Sequence, residues 1–190
     1  MEIMMTVIIY GVLFSYLLAG ILYLVGNLKS KASLFKYALV LAVVGCVLHF
    51  ALLVIRTLLT GMLPITNGSE FLLTFAWITV LIYLLLSYRY QIQAAGGVVM
   101  LLSALLVFVL VALTGGKLHA VSPLMPALKS PWLTVHVITA AVAYSAFTVA
   151  AGLAVIQFFP VGQGIREDYT NLMVKCGFAL LSLSIVLGAI

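Results

Sequence analysis

The chain has 190 residues, of which 66% are hydrophobic and only 7% charged. No soluble fold hides that much apolar surface, so the composition specifies a single all-α integral membrane domain over residues 1–190, solvated by the lipid bilayer. The net charge of +5 comes from basic residues scattered singly, with no patch or stripe, which gives no sign of a nucleic-acid partner.

Six transmembrane spans are predicted in chain order. The first runs from Met4 to Gly26; it is too long for a signal-peptide core and no small-residue cleavage site ends it, so it reads as a retained helix. A polar loop from Asn27 to Ser33 carries Lys29 and Lys31. The second span, Leu34 to Leu59, contains His49 near mid-membrane and Arg56 seven residues on, which places both on one helix face about 10 Å apart. A turn-rich loop, Gly61 to Ser69, leads into the third span, Phe71 to Tyr90, which opens with Glu70 beside it and carries Trp77. The fourth span covers Gly96 to Leu113. A longer loop, Thr114 to Ser130, contains His119, Pro123 and Pro126. The fifth span follows as an uncharged run from Leu133 to Phe159, and the sixth runs from Tyr169 to Ile190. Cys46 and Cys176 form no C-x-x-C pair; both fall in apolar runs and are expected to be small core residues.

The basic residues orient this bundle. Lys29, Lys31, Lys36, Arg89, Arg166 and Lys175 lie on one side, against Arg56, Lys117 and Lys129 on the other. The richer side is expected to be cytoplasmic, leaving the N-terminus, the Gly61–Ser69 loop and the Thr114–Ser130 loop outside.

The start of the fifth span, LKSPWLTVHV, is the most informative stretch. Ser130 is a suitable N-cap, Pro131 suits the first helical position, and Trp132 is a ring for the membrane boundary. His136 then lies about one and a half turns inside the helix, near the outer face. A ring there, shielded yet reachable, suits an axial haem ligand. On spacing alone, a histidine hydrogen-bonded to a neighbouring helix is the commoner case. Ala140, Ala143 and Ala151, with Phe147 between them, admit either a packed helix or a flat ligand, helix packing being the commoner. For Arg56 two readings stay open: a salt bridge to Glu70 that pins two helices, or a cation for an anionic group such as a haem propionate. His49 reads as an interhelical hydrogen-bonding residue ahead of a metal ligand.

The block Gly45, His49, Arg56, Gly61, Pro64, Asn67, Glu70 and Trp77, the segment PLMPALKSPWLTVHV at 123–137 and the order of the helices resemble the CcsA/ResC-type cytochrome c assembly proteins, the haem-handling membrane component of system II cytochrome c synthases. The resemblance implies haem b held near the outer face for covalent attachment to apocytochrome c. It also implies a CcsB/ResB-type membrane partner and a bacterial inner (cytoplasmic) membrane location. In that setting His136 is implied as an axial ligand of the haem iron, with Arg56, Trp132 and His49 as candidate cofactor-binding residues. The family's W-G-x-Y-W-x-W-D loop and second outward-facing histidine do not occur in this sequence, so the chain is expected to correspond to an N-terminal part, truncated before that loop, and not to be catalytic alone. The alternative is a related membrane protein that regulates haem biosynthesis or acts as a scaffold without ligating haem. A transporter with a broken-helix midplane site fits less well, because the spans are mostly uninterrupted. An electron-transferring cytochrome b needs facing histidine pairs, and only His49 lies at midplane depth.

Overall fold

The computed structural model describes residues 2–115 and 131–189. Six α-helices account for most of the described residues: α1 (Glu2–Lys29), α2 (Ala32–Thr60), α3 (Gly68–Arg89), α4 (Gly96–Thr114), α5 (Pro131–Gln157) and α6 (Glu167–Gly188). Each is long and apolar enough to cross a bilayer. With no water in a bilayer core to satisfy backbone groups, continuous helices are the arrangement this composition permits. The protein is an all-α polytopic membrane protein.

Alternating directions put the ends of α2, α4 and α6 and the starts of α1, α3 and α5 at one end of the bundle, called here the Arg56 end. The Lys29 end is opposite. Helices α1, α2, α3 and α4 close a ring in which each touches the next. Helix α5 packs on α3 and, more lightly, on α4; α6 sits outermost, laid against α5. The ring's centre is filled by Tyr16, Tyr23, Tyr83, Leu52, Leu73 and Met100, all essentially without exposure.

The helices run past the predicted spans by one to three residues at most ends. Lys29 lies inside α1, and the expected Asn27–Ser33 loop shrinks to a two-residue turn at Ser30 and Lys31. Polar residues at helix ends keep their side chains in the interface while the backbone stays helical. At the far end of α5 the helix stops at Gln157, before Phe158 and Phe159, where Pro160 opens a short 3-10 turn. Pro160 biases its predecessor to extended backbone, which Phe159 adopts.

One composition-based expectation is overturned. Cys46 is buried as predicted, but Cys176 is exposed. Helix α6 buries only one stripe against α5, where Phe147 lies over Gly177. Cys176 precedes Gly177 by one residue, so it turns away from that stripe.

Candidate functional site

The Arg56 end is built around a buried ion pair. Arg56 and Glu70 are 4% and 5% exposed, and Arg56 donates to Glu70 Oε1 through both Nε (3.0 Å) and Nη2 (2.9 Å). The loop makes the other half of the arrangement. Thr66 donates its backbone N–H (2.9 Å) and its hydroxyl to Glu70 Oε2, while Asn67 caps α3 by accepting from the Glu70 N–H at 2.9 Å. Thr74 donates to the Pro64 carbonyl at 2.7 Å and fastens the loop to α3. Both carboxylate oxygens of Glu70 are therefore satisfied from within the chain, the condition under which a buried charge is tolerated.

His49 lies deeper on the same α2 face and is fully buried. Its Nδ1 is 3.1 Å from the Tyr16 hydroxyl of α1, and its Nε2 has no hydrogen-bond partner among the described residues. Tyr16 comes this close because residue 45 is glycine: a Cβ there would stand 2.8 Å from the Tyr16 ring. Beside them Trp77 donates to the Cys46 carbonyl (3.2 Å) and stacks on Phe50 at 5.3 Å between ring centres. Trp77 thus belongs to the α2–α3 contact. The lipid-facing groove next to it, about 380 Å³, is apolar and is bounded by Thr57, Pro64, Trp77 and Ile138, among others. His136 does not line it.

His136 instead turns towards α6. Its Nδ1 lies 2.6 Å from the Ser184 carbonyl oxygen and 3.1 Å from the Ser184 hydroxyl, and Ser184 Oγ donates to the His136 carbonyl at 2.9 Å. A carbonyl only accepts, so Nδ1 carries the proton in the neutral ring and Nε2 holds the lone pair. No described residue hydrogen-bonds Nε2. The side chain is half-buried: shielded, but not enclosed as His49 is. Trp132 is one turn earlier on the same face and more than half exposed. Ala140, Ala143 and Phe147 continue the stripe; both alanines are buried, and Phe147 meets α6 at Gly177. The small-residue strip is packed by helix α6 over that length. Ala151 lies beyond it, exposed in a second groove with Phe75 and Tyr144.

The chain matches the family model described as "Cytochrome C assembly protein" over residues 65–190. That match takes in the end of the loop before α3, all of α3 to α6, and His136. The chain belongs to the cytochrome c assembly protein family.

Relatives agree. The chain is 34% identical to "Cytochrome c biogenesis protein CcsA" of Cyanophora paradoxa, across 58% of this chain and 34% of that protein. The protein of the same name from Chlamydomonas reinhardtii is 28% identical, across 91% of this chain and 52% of its own length. That from Synechococcus sp. (strain CC9311) is 39% identical, across 55% and 34%. The chain thus spans about half or less of the curated relatives it matches. His49 and Arg56 precede the segment matched by the cytochrome c assembly model, whereas His136 and Ser184 lie inside it.

The four candidate residues do not converge on one point. Arg56 and Glu70 join α2 to α3, His49 is enclosed against α1, and Trp132 and His136 share a face of α5 directed at α6 in its buried part. Three contributors were not anticipated from sequence: Tyr16, Thr66 and Ser184. None carries a motif. Ser130, Lys117, Lys129 and His119 lie outside the described residues.

Proposed function

We propose that this chain is a haem-handling module of cytochrome c maturation, in which His136 ligates haem iron through Nε2. The observation that carries the reading is the division of labour on the imidazole. Its Nδ1–H is held by a main-chain carbonyl 2.6 Å away, and no described residue hydrogen-bonds Nε2. Metal-binding histidines are commonly oriented this way, with the second ring nitrogen tied to a carbonyl or carboxylate. The ring would therefore serve as a nitrogen ligand to the iron. His49 fits less well, because an iron at its Nε2 has to displace a fully buried environment.

Bound haem supplies vinyl groups for thioether formation with the thiols of an apocytochrome C-x-x-C-H motif. This chain's own residues hold and orient the group. In this reading Trp132 offers an aromatic face one turn from His136. Arg56 keeps the outer ends of α2 and α3 together through Glu70. The group is haem b, the acceptor an apocytochrome c, and the assembly includes a CcsB/ResB-type partner. The six-to-three distribution of basic residues supports an orientation with the Arg56 end outside the cytoplasmic membrane.

The test is cytochrome c maturation in cells carrying the full assembly, read by haem staining of the c-type product. His136→Ala is expected to abolish the stain while the protein stays in the membrane, and millimolar free imidazole to restore part of it. Normal maturation by His136→Ala without imidazole would refute the assignment.

A further inference from the structure

We infer that Ser184 and Gly188 of α6 are positioning residues for His136: together they fix its tautomer and the plane of its ring, so that Nε2 is presented as a fixed lone pair. The consequence for iron rests on the function proposed above; the placement of the ring does not.

Ser184 and Gly188 are four residues apart and so lie one above the other on the α6 face that meets α5. Ser184 is 1% exposed and acts at two points. Its carbonyl accepts from Nδ1–H at 2.6 Å, which excludes the tautomer protonated only on Nε2. A carbonyl has two lone pairs, so it accepts this bond in addition to one within its own helix. Its hydroxyl donates to the His136 carbonyl at 2.9 Å and anchors the backbone from which the ring hangs. Gly188 acts by lacking a side chain. A Cβ there would stand 2.7 Å from Nδ1, 2.8 Å from Cε1 and 3.4 Å from Cγ, so the ring lies directly against the last turn of α6. Contacts under about 3 Å between such atoms are not sustained, and either the ring or the helix end has to shift.

The test is nitrogen-15 NMR of the full chain, histidine-labelled, in lipid nanodiscs. The chain has three histidines, so His136→Gln assigns the resonance by its disappearance. For the neutral ring the expected pattern is protonated Nδ1 and unprotonated Nε2. Gly188→Ala is expected to replace it with a mixture of tautomers. Ser184→Ala, which keeps the carbonyl, should retain the tautomer but broaden the signal, and Ser184→Thr should sharpen it again. An Nε2-protonated ring in the unaltered chain, or an unchanged spectrum in Gly188→Ala, overturns the inference. If Gly188→Ala does not accumulate, the unaltered chain and the Ser184 pair decide. A parallel titration with hemin separates the two readings. Gly188→Ala is expected to weaken His136-dependent binding by about tenfold, the scale seen when an outer partner of a metal ligand is lost. The expected NMR result with hemin binding indifferent to His136 supports the positioning and removes the iron reading alone.

Discussion

Removing either partner of the Arg56–Glu70 pair should destabilise the bundle more than any surface change. In Arg56→Met the Glu70 carboxylate keeps the two Thr66 donors but loses both guanidinium bonds, and its charge stays 5% exposed. In Glu70→Gln the buried guanidinium exchanges its Glu70 carboxylate for a neutral amide. Breaking a buried pair from one side costs about 3–5 kcal/mol. At roughly 2–4 °C per kcal/mol for a chain of this size, each single change is expected to lower the melting temperature by about 6–20 °C. The double variant Arg56→Met with Glu70→Gln leaves no orphan charge, and the glutamine carbonyl can still accept from Thr66. It should cost less than either single change, giving a coupling of more than about 3 kcal/mol. Full charge reversal should recover less, because an arginine at position 70 would place its donors against those of Thr66. The assay is thermal retention of a monodisperse peak by a fluorescent fusion in detergent. Single variants each within about 1 kcal/mol of the parent, the range of an exposed pair, would refute the reasoning, as would strictly additive losses.

Three further outcomes follow from the same geometry. Tyr16→Phe strands the buried His49 Nδ1 and should cost about 1–3 kcal/mol in the same melting assay, with recovery when His49→Leu is added; absence of recovery contradicts the pairing. Gly45→Val should abolish accumulation in membranes, since Tyr16 already occupies the space, whereas Gly68→Ala, with nothing within 4 Å, should be silent by immunoblot. A cysteine placed between residues 116 and 128, with Cys46 and Cys176 replaced by serine, should react with an impermeant thiol reagent on intact cells; reaction only after lysis reverses the proposed orientation.

The six spans were legible because lipid imposes a length and an apolar content on each helix, and both are properties of contiguous sequence. The Arg56–Glu70 contact was legible for a related reason: a short loop leaves the two ends nowhere else to go. Asn67 was visible as a turn residue, yet its bond to Glu70, like those of Thr66, depends on the folded loop. Tyr16 with His49 was not legible, since the partners are 33 positions apart and the approach depends on how α1 and α2 rotate against each other. The contact of His136 with Ser184 spans 48 positions and depends on how α6 is set against α5. Cys176 misled for the converse reason. An apolar run in a membrane does not distinguish a face turned to protein from one turned to lipid, because both are equally apolar.

The central claim is that His136 offers Nε2 to haem iron. The most direct measurement is the absorbance spectrum of hemin titrated into the purified chain in lipid nanodiscs, beside His136→Ala and His49→Ala. A Soret band displaced from that of hemin in empty nanodiscs is expected for the unaltered chain and for His49→Ala. His136→Ala should return the empty-nanodisc spectrum, and added imidazole should displace the band again. A displaced band that persists unchanged in His136→Ala would contradict the account.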